Sequence, residues 1–510
     1  MSAEERSPLL DPAPHRSLQE QLDFRKVKNR NLYLATFAAV LGPLSFGFVL
    51  GYSSPAIPEL ESNLNPDLKL NSNQASWFGS LVTIGAAVGG IIGGWIVDKV
   101  GRKQSLMMCG LPYIIGFTVI VGAQNIWMLY IGRLLTGLAS GITSLVVPVY
   151  ISETAHPNVR GLLGSCVQLM VVIGIMGAYI GGMILSWYWL AVFSSIPPAL
   201  MVTLMYFMPE TPRYLLTKNQ RSEALTALEW LRGPEVDYDQ ECRKIEEICN
   251  TQDTKLVLSE LKDSAVYKPI FIGIFLMLFQ QLSGINAVMF YAETIFEQAN
   301  FKNSREGSVI VGVVQVVFTA IAALIMDKAG RKILLAISAL IMSISTAIFG
   351  AYFIIWQENI NNSSLHKVDN ANSVSVAPDA PTWLPLACLV IFIAGFAIGC
   401  GPIPWLVMSE IFPVRVRGIA SGVCVLTNWS TAFLVTKEFH DLLFHLLNVV
   451  PFPCRFTHNV IHYGFSWNFI INAFYFCLSS RVVLPMQVVV ESKVSFTLYK
   501  TVTENINGSF

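Results

Sequence analysis

The sequence predicts an all-α polytopic membrane protein built from two six-helix repeats that run in the same direction. Three observations carry the prediction: an apolar composition, a succession of bilayer-length apolar runs, and two charged motifs that each recur in register. Of 510 residues, 53% are hydrophobic and only 13% charged, with a mean hydropathy of +0.53. Soluble domains carry roughly 25% charged residues. Runs of about 20 apolar residues, the length that crosses a hydrocarbon core as a helix, lie at 32–52, 76–97, 105–123, 127–150, 162–185, 188–208, 267–290, 307–326, 333–356, 383–408 and 418–436. A weaker twelfth candidate lies within 463–490 and holds Arg481 and Pro485. No run sustains the period-two alternation of a membrane barrel. A net charge of zero says nothing about a partner, and nine cysteines without a CxxC or CxxxC pair suggest neither a metal site nor a disulfide framework; no cofactor and no nucleic acid are expected. There is no Walker lysine loop for ATP, and the spans hold no nucleophile–base pair of an enzyme.

The elements follow in order. Residues 1–31 form a tail with Arg6, Arg16, Arg25, Lys26, Lys28 and Arg30 and no apolar signal core. The positive-inside rule places this tail in the cytoplasm. Within it, "ERSPLL" (5–10) fits an acidic dileucine signal through Glu5, Leu9 and Leu10, which points to a clathrin adaptor as partner and to endosomal or lysosomal membranes. A first bundle spans 32–208. Its first loop, 53–75, has only Lys69 among Glu59, Glu61 and Asp67 and is expected on the outside. The segment 209–266 reads as cytoplasmic linker helices, with charged helical periodicity in "SEALTALEWLR" (222–232). A second bundle spans 267–440 and contains a polar extracellular loop, 357–382, where Asn361 and Asn362 begin glycosylation sequons. Asn428 begins another inside a span, where no glycan is expected. Residues 441–510 form a divergent tail.

The duplication is read from two motifs. "DKVGRK" (98–103) returns as "DKAGRK" (327–332), and "SETAHPNVRG" (152–161) returns as "SEIFPVRVRG" (409–418), each with a Glu seven residues before Arg-Gly. The interval between the motifs is longer in the second half by about the length of the 357–382 insertion. Without that insertion the halves are in register. Parallel repeats of this kind are a transporter architecture with a midplane substrate site between two rocking bundles.

Together with "GRLLTG" (132–137), "PETPR" (209–213), "FQQLSGINAVMFYAETIF" (279–296) and "GPIPWLVMSEIFPVRVRG" (401–418), these motifs resemble the facilitative sugar transporters of the major facilitator superfamily, solute carrier family 2. The likeness runs from about 32 to 440. It implies the major facilitator fold, a lipid bilayer setting and a hexose substrate, glucose first, moved by uniport. Fructose, a disaccharide, or a sugar-sensing protein that has lost transport stay open. The chemistry of the spans agrees: amides and indoles outnumber carboxylates. Gln168, Gln280, Gln281, Asn286, Gln315, Trp405, Asn428 and Trp429 are the candidate sugar contacts, because amides donate and accept as hydroxyls do and indole faces suit a pyranose. The family places its ligands on the Gln280–Asn286 motif. On a straight helix Gln281 and Asn286 would lie about 140° apart, so a kink is expected at Ser283-Gly284. The competing reading is that the amides are interhelical glue. Similar glucose-restricted members carry Asn where Gln315 stands and Gln-Leu-Ser where this chain has "MLF" (277–279), and many relatives have Glu where Ala397 stands.

Related proton-coupled symporters have an Asp where this chain has Val49, and its absence points to passive transport. Arg133 is an intramembrane charge, read as structural glue near the outer gate. On the cytoplasmic side, Asp98, Arg102, Glu153, Arg160, Glu210 and Arg213 of the first half are expected to face Asp327, Arg331, Glu410 and Arg417 of the second. Such a latch, made only when the inner side closes, would favour the outward-open state. After about 443 the family's twelfth helix and its closing Pro-Glu-Thr-Lys-Gly are missing, so the last helix is expected to be absent or replaced.

Overall fold

The computed structural model describes residues 29–156, 159–234, 238–251, 264–298, 301, 303–369, 383–412 and 417–448. The dileucine segment, the 463–490 candidate span and the rest of the 449–510 tail lie outside them. The first bundle contains α1 (Arg30–Gly51), α2 (Ser53–Glu61), α3 (Ser72–Val100), α4 (Arg102–Val121), α5 (Ile126–Thr154), α6 (Arg160–Ile184), and α7 (Trp187–Ser194) with α8 (Ile196–Tyr206) as one span. Then come α9 (Pro212–Thr217), α10 (Arg221–Arg232) and α11 (Tyr238–Thr251). The second bundle contains α12 (Ser264–Leu282), α13 (Ile285–Phe290), α14 (Ala292–Gln298), α15 (Ser304–Ala329), α16 (Arg331–Asp369), α17 (Trp383–Gly395), a π turn (Phe396–Cys400), α18 (Pro402–Ile411) and α19 (Arg417–Asn448).

Local chemistry sets the boundaries. Asn71 and Gln74 exchange side-chain and backbone bonds at 2.8 and 2.9 Å, a capping box that starts α3. Asn125 caps α5 by accepting from the Met128 N–H at 3.0 Å. The glycines of the repeated hexapeptides, Gly101 (φ +102°) and Gly330 (φ +82°), each separate two spans in a conformation that side chains disfavour. The repeat is therefore the same tight turn made twice.

Two differences from the sequence reading concern length. Helix α16 continues to Asp369, so the first half of the expected 357–382 loop is helical, because no Gly or Pro follows Gly350 until Pro378. Helix α19 runs to Asn448, past the apolar run that ends at 436.

Within the first bundle, α3 packs on α5 and α1 on α6. A Cβ at Gly89 or Gly141 would strike the facing backbone carbonyl of Leu138 or Ala86, so small residues set the helix spacing. Between bundles, α3 packs on α19 and α6 on α15. The second helix of each repeat thus meets the fifth of the other, as a pseudo-twofold axis requires. The apolar packing is uneven along that axis. Away from the basic loops, Tyr52, Ile57 and Phe78 share one core with Phe290, Tyr291 and Phe296. Toward the basic loops the cores separate, one around Leu32, Tyr150 and Met205, the other around Met326, Leu334 and Ile403. Among the described residues, the bundles are clasped at one end and splayed at the end that carries the basic motifs.

Candidate functional site

The amides meet because the seventh span breaks. Gly284 takes φ +82°, ψ 9°, while the Ser283 hydroxyl donates to the Gln280 carbonyl at 2.6 Å and accepts from the Ile285 N–H at 3.3 Å. The turn restarts the helix as α13 and brings Asn286 round to Gln281, where Asn286 Nδ2 donates to Gln281 Oε1 at 2.7 Å. Gln281 Nε2 donates to Asn428 Oδ1 at 3.2 Å, and Asn428 Nδ2 donates to Gln280 Oε1 at 2.9 Å. Gln280 Nε2 then donates to the Cys400 and Gly401 carbonyls at 2.8 and 2.9 Å. These carbonyls sit where the tenth span unwinds. Pro404 has no N–H to offer Cys400, four residues before it. Ser338 on α16 secures the same π turn, donating to the Gly395 carbonyl at 2.6 Å and accepting from the Cys400 N–H at 2.9 Å.

This chain of bonds sorts the candidates. Gln280 has spent both amide hydrogens on backbone, so it positions the π turn and Asn428. Asn286 and Gln281 each retain one N–H, by the donor inventory of an amide. Two further polar atoms are buried without a protein partner: Gln315 Oε1, on a residue 1% exposed, and Trp429 Nε1, on one 3% exposed. Buried polar atoms are ordinarily satisfied, so both mark places that want a hydrogen-bonding occupant. The Trp429 ring stands edge-on to Phe46 of the other bundle, with centroids 5.7 Å apart. Gln315 lies on α15, which packs against α6, where Gln168 is half-buried. Trp405 is half-buried beside the cluster that includes Trp429. Gln168, Gln315 and Trp405 are not part of the bonded amide chain.

Arg133 has partners that the sequence did not name. It is fully buried and donates to the Val49 carbonyl at 3.0 Å, the Phe78 carbonyl at 3.3 Å and the Ser53 hydroxyl. Its guanidinium also lies 5.1 and 5.6 Å from the Phe78 and Tyr52 ring centres. It ties α5 to α1, α2 and α3. Three hydrogen bonds that sequence reasoning missed cross between the bundles at the clasped end. The Glu293 N–H donates to the Ser54 hydroxyl at 3.0 Å, Tyr179 Oη to the Met289 carbonyl at 2.7 Å, and Ser76 Oγ to the Lys437 carbonyl at 2.6 Å. Their signal is a hydroxyl in an apolar run, which is too common in spans to single out a gate.

Among the described residues, the first-half charges of the basic motifs engage one another. Arg102 pairs with both oxygens of Glu153 at 2.9 Å, and Thr211 Oγ1 donates to Glu153 at 2.7 Å. Glu210 accepts the N–H groups of Arg102, Lys103 and Thr211 at 3.1, 3.0 and 2.8 Å, seated on the N-terminus of α4. Burial pushes the Glu210 carboxyl above its ordinary range, against the pull of those N–H groups. The physical reason is proximity: "PETPR" starts α9 directly beneath the hexapeptide turn, with Tyr214 Oη donating to the Lys99 carbonyl at 2.8 Å. Helix α10 docks on the same bundle, as Arg232 donates to the Thr154 carbonyl at 2.9 Å and pairs with Glu241 at 2.8 Å. Asp98 and Arg160 are exposed, and Arg213 and Arg331 half-buried. The side chains of Asp327, Glu410, Arg417, Asn361 and Asn362 lie outside the described residues.

A six-span bundle and a second bundle whose five described spans repeat its packing, splayed at one end around an amide-lined broken helix, define a major facilitator transporter. The family model "Sugar (and other) transporter" matches residues 34–477, and the chain belongs to that family. The match extends past 440, into the segment read from the sequence as divergent. The chain is 54% identical to the mouse solute carrier family 2, facilitated glucose transporter member 8, covering 85% of this chain and 90% of the relative. It is 39% identical to the facilitated trehalose transporter Tret1 of Bombyx mori, over 80% of this chain and 78% of that one. In fold it matches the partially occluded inward open conformation of the xylose transporter XylE from E. coli, with a TM-score of 0.68 and 23% identity, covering 87% of this chain and 98% of that one. The protein is a sugar transporter of the major facilitator superfamily and not an enzyme.

Proposed function

We propose that the chain carries a hexose, glucose first, by uniport through alternating access between its two bundles. The observation that carries this reading is the buried amide chain with unspent N–H groups on Gln281 and Asn286, beside the unpartnered Gln315 Oε1 and Trp429 Nε1. A polyol hydroxyl both donates and accepts, so it can complete all of these at once. Each such bond contributes about 0.5–1.5 kcal/mol over water, so a handful gives binding weak enough to release. Passive transport is supported by Arg133. Its bonds run to two backbone carbonyls and a hydroxyl, none of which takes up a proton at physiological pH, and Val49 stands where a relay carboxylate would be.

With the basic loops in the cytoplasm, this conformation is closed outside and open inside. The likeness to a trehalose transporter favours a second reading, a disaccharide. Labelled glucose uptake into proteoliposomes, competed by fructose and trehalose, tests both. Uptake that only trehalose blocks selects the disaccharide, and bound glucose without flux selects a sensor. The dileucine segment Glu5, Leu9 and Leu10 supports recruitment of a clathrin adaptor and residence in endosomal or lysosomal membranes; Leu9→Ala with Leu10→Ala should shift a tagged chain to the cell surface. Asn361 or Asn362 carries the glycan, so loss of both sequons should remove any glycosidase-sensitive mass.

A further inference from the structure

The clasped end holds a cleft of about 730 Å³ whose walls come from both bundles. Glu59 and Glu61 of α2 line it from the first bundle, and Glu293 and Glu297 of α14 and Glu306 of α15 line it from the second. Arg305 is the basic residue among the lining groups. The Glu293 carboxylate is 4% exposed and pairs with Arg305 Nε at 3.0 Å, while its own N–H bonds Ser54 of the other bundle. We propose that Glu293 makes closure of this outer mouth proton-sensitive, with acid favouring the closed state.

The argument rests on alternating access and on where the charges stand. Closing the mouth packs α14 against α2. That step takes a carboxylate out of water and sets it among Glu59, Glu61, Glu297 and Glu306, against one cation that is itself half-exposed. Of the other packed elements, α13 carries no charged side chain, and α6 contributes Met183; Lys302 lies outside the described residues. Opening the mouth separates the two sets of carboxylates and returns Glu293 to water. Burial, reinforced by Glu297 and Glu59 and opposed by Arg305, pushes its carboxyl from 4.5 up to about 7 in the closed form. The proton is therefore bound more tightly when the mouth is shut, so closure gains as pH falls through 7. With an open-state value near the ordinary 4.5, linkage makes the closed-to-open ratio about tenfold larger at pH 6 than at pH 8.

Spin labels attached at a single pH to Ser62→Cys and Asn303→Cys, on the full chain in nanodiscs with reactive native cysteines replaced, report the mouth directly. In the otherwise native chain the short-distance population should grow from pH 8 to pH 6 by about that factor. Glu293→Gln should hold the short-distance population high at both values, and Arg305→Met should move the midpoint to higher pH. A distance distribution insensitive to pH, a shift of opposite sign, or an unaltered response in Glu293→Gln would overturn the proposal. The distances need no sugar, so the two readings fail separately. Hexose flux with pH-invariant distances removes only the proton device, and a pH-dependent mouth without flux removes only the transport reading.

Discussion

Replacing Gln280 by Glu tests whether the amide chain, rather than the sugar alone, holds the site together. The change is nearly isosteric, but it converts a donor of two bonds into an acceptor. A carboxylate oxygen would then face the Cys400 and Gly401 carbonyls at the 2.8 and 2.9 Å now spanned by N–H groups. Two buried carbonyls lose their donors, at about 1–3 kcal/mol each, so the π turn should lose about 2–6 kcal/mol of support. Gln280→Leu removes the same bonds without the opposed oxygens and should cost less. Initial uptake rates and sugar affinity in proteoliposomes decide the matter, with thermal unfolding of the purified protein as a second readout. The expected order is native, then Gln280→Leu, then Gln280→Glu, the last at least tenfold down in uptake. Uptake by Gln280→Glu within twofold of native, or Gln280→Leu the worse of the two, would refute the positioning role.

Other expectations follow from the same geometry. Arg133→Met should destabilise the first bundle by about 2–4 kcal/mol, since two carbonyls and the Ser53 hydroxyl lose their donor; an unchanged melting temperature would contradict this. Gly284→Ala forces a side chain to φ +82°, at about 1–2 kcal/mol. It should weaken sugar binding several-fold by misplacing Asn286, as inhibitor competition would read. Glu210→Gln keeps an oxygen for the α4 N–H groups and should change stability by less than about 1 kcal/mol. Because the Glu210 pKa is raised by burial, the native chain should lose stability as pH rises through that value, and this variant should lose less. Melting curves across pH measure the difference.

Much of this was legible in the sequence because it depends on local periodicity. The apolar runs locate the spans, the hexapeptide glycines mark two identical turns, and Ser283-Gly284 marks the break that unites Gln281 with Asn286. The pairing of Gln280 with carbonyls of the tenth span was not legible, because backbone acceptors leave no mark in the side-chain sequence. The same holds for Arg133, whose partners include the carbonyls of Val49 and Phe78. A carboxylate partner would have been visible as an Asp or Glu in a span. The helix through 357–369 departs from the expected loop for another reason: polar composition reads as loop, but no Gly or Pro interrupts the helix there. Cross-bundle hydroxyl bonds such as Ser54 with Glu293 depend on docking two units distant in sequence, which no local pattern encodes.

The hexapeptide turns have one backbone and two energetic roles. In the first half, Arg102, Glu153, Glu210 and Thr211 all belong to one bundle, so their bonds persist when the bundles rock. A contact made equally in two states cannot shift the balance between them. The first-half cluster therefore acts as a brace that keeps α3, α4, α5 and α9 moving as one body, and the splayed inner end leaves it intact. Any inner latch must then depend on charges that reach across from the second half, where Arg331, Glu410 and Arg417 stand in the repeated positions. Glu153→Gln should accordingly lower the stability of the bundle while leaving the distribution of open and closed mouths as it was. Arg331→Ala or Glu410→Ala should shift that distribution at little cost in stability. Reversal of these two patterns would move the switch into the first half and leave the second as the brace.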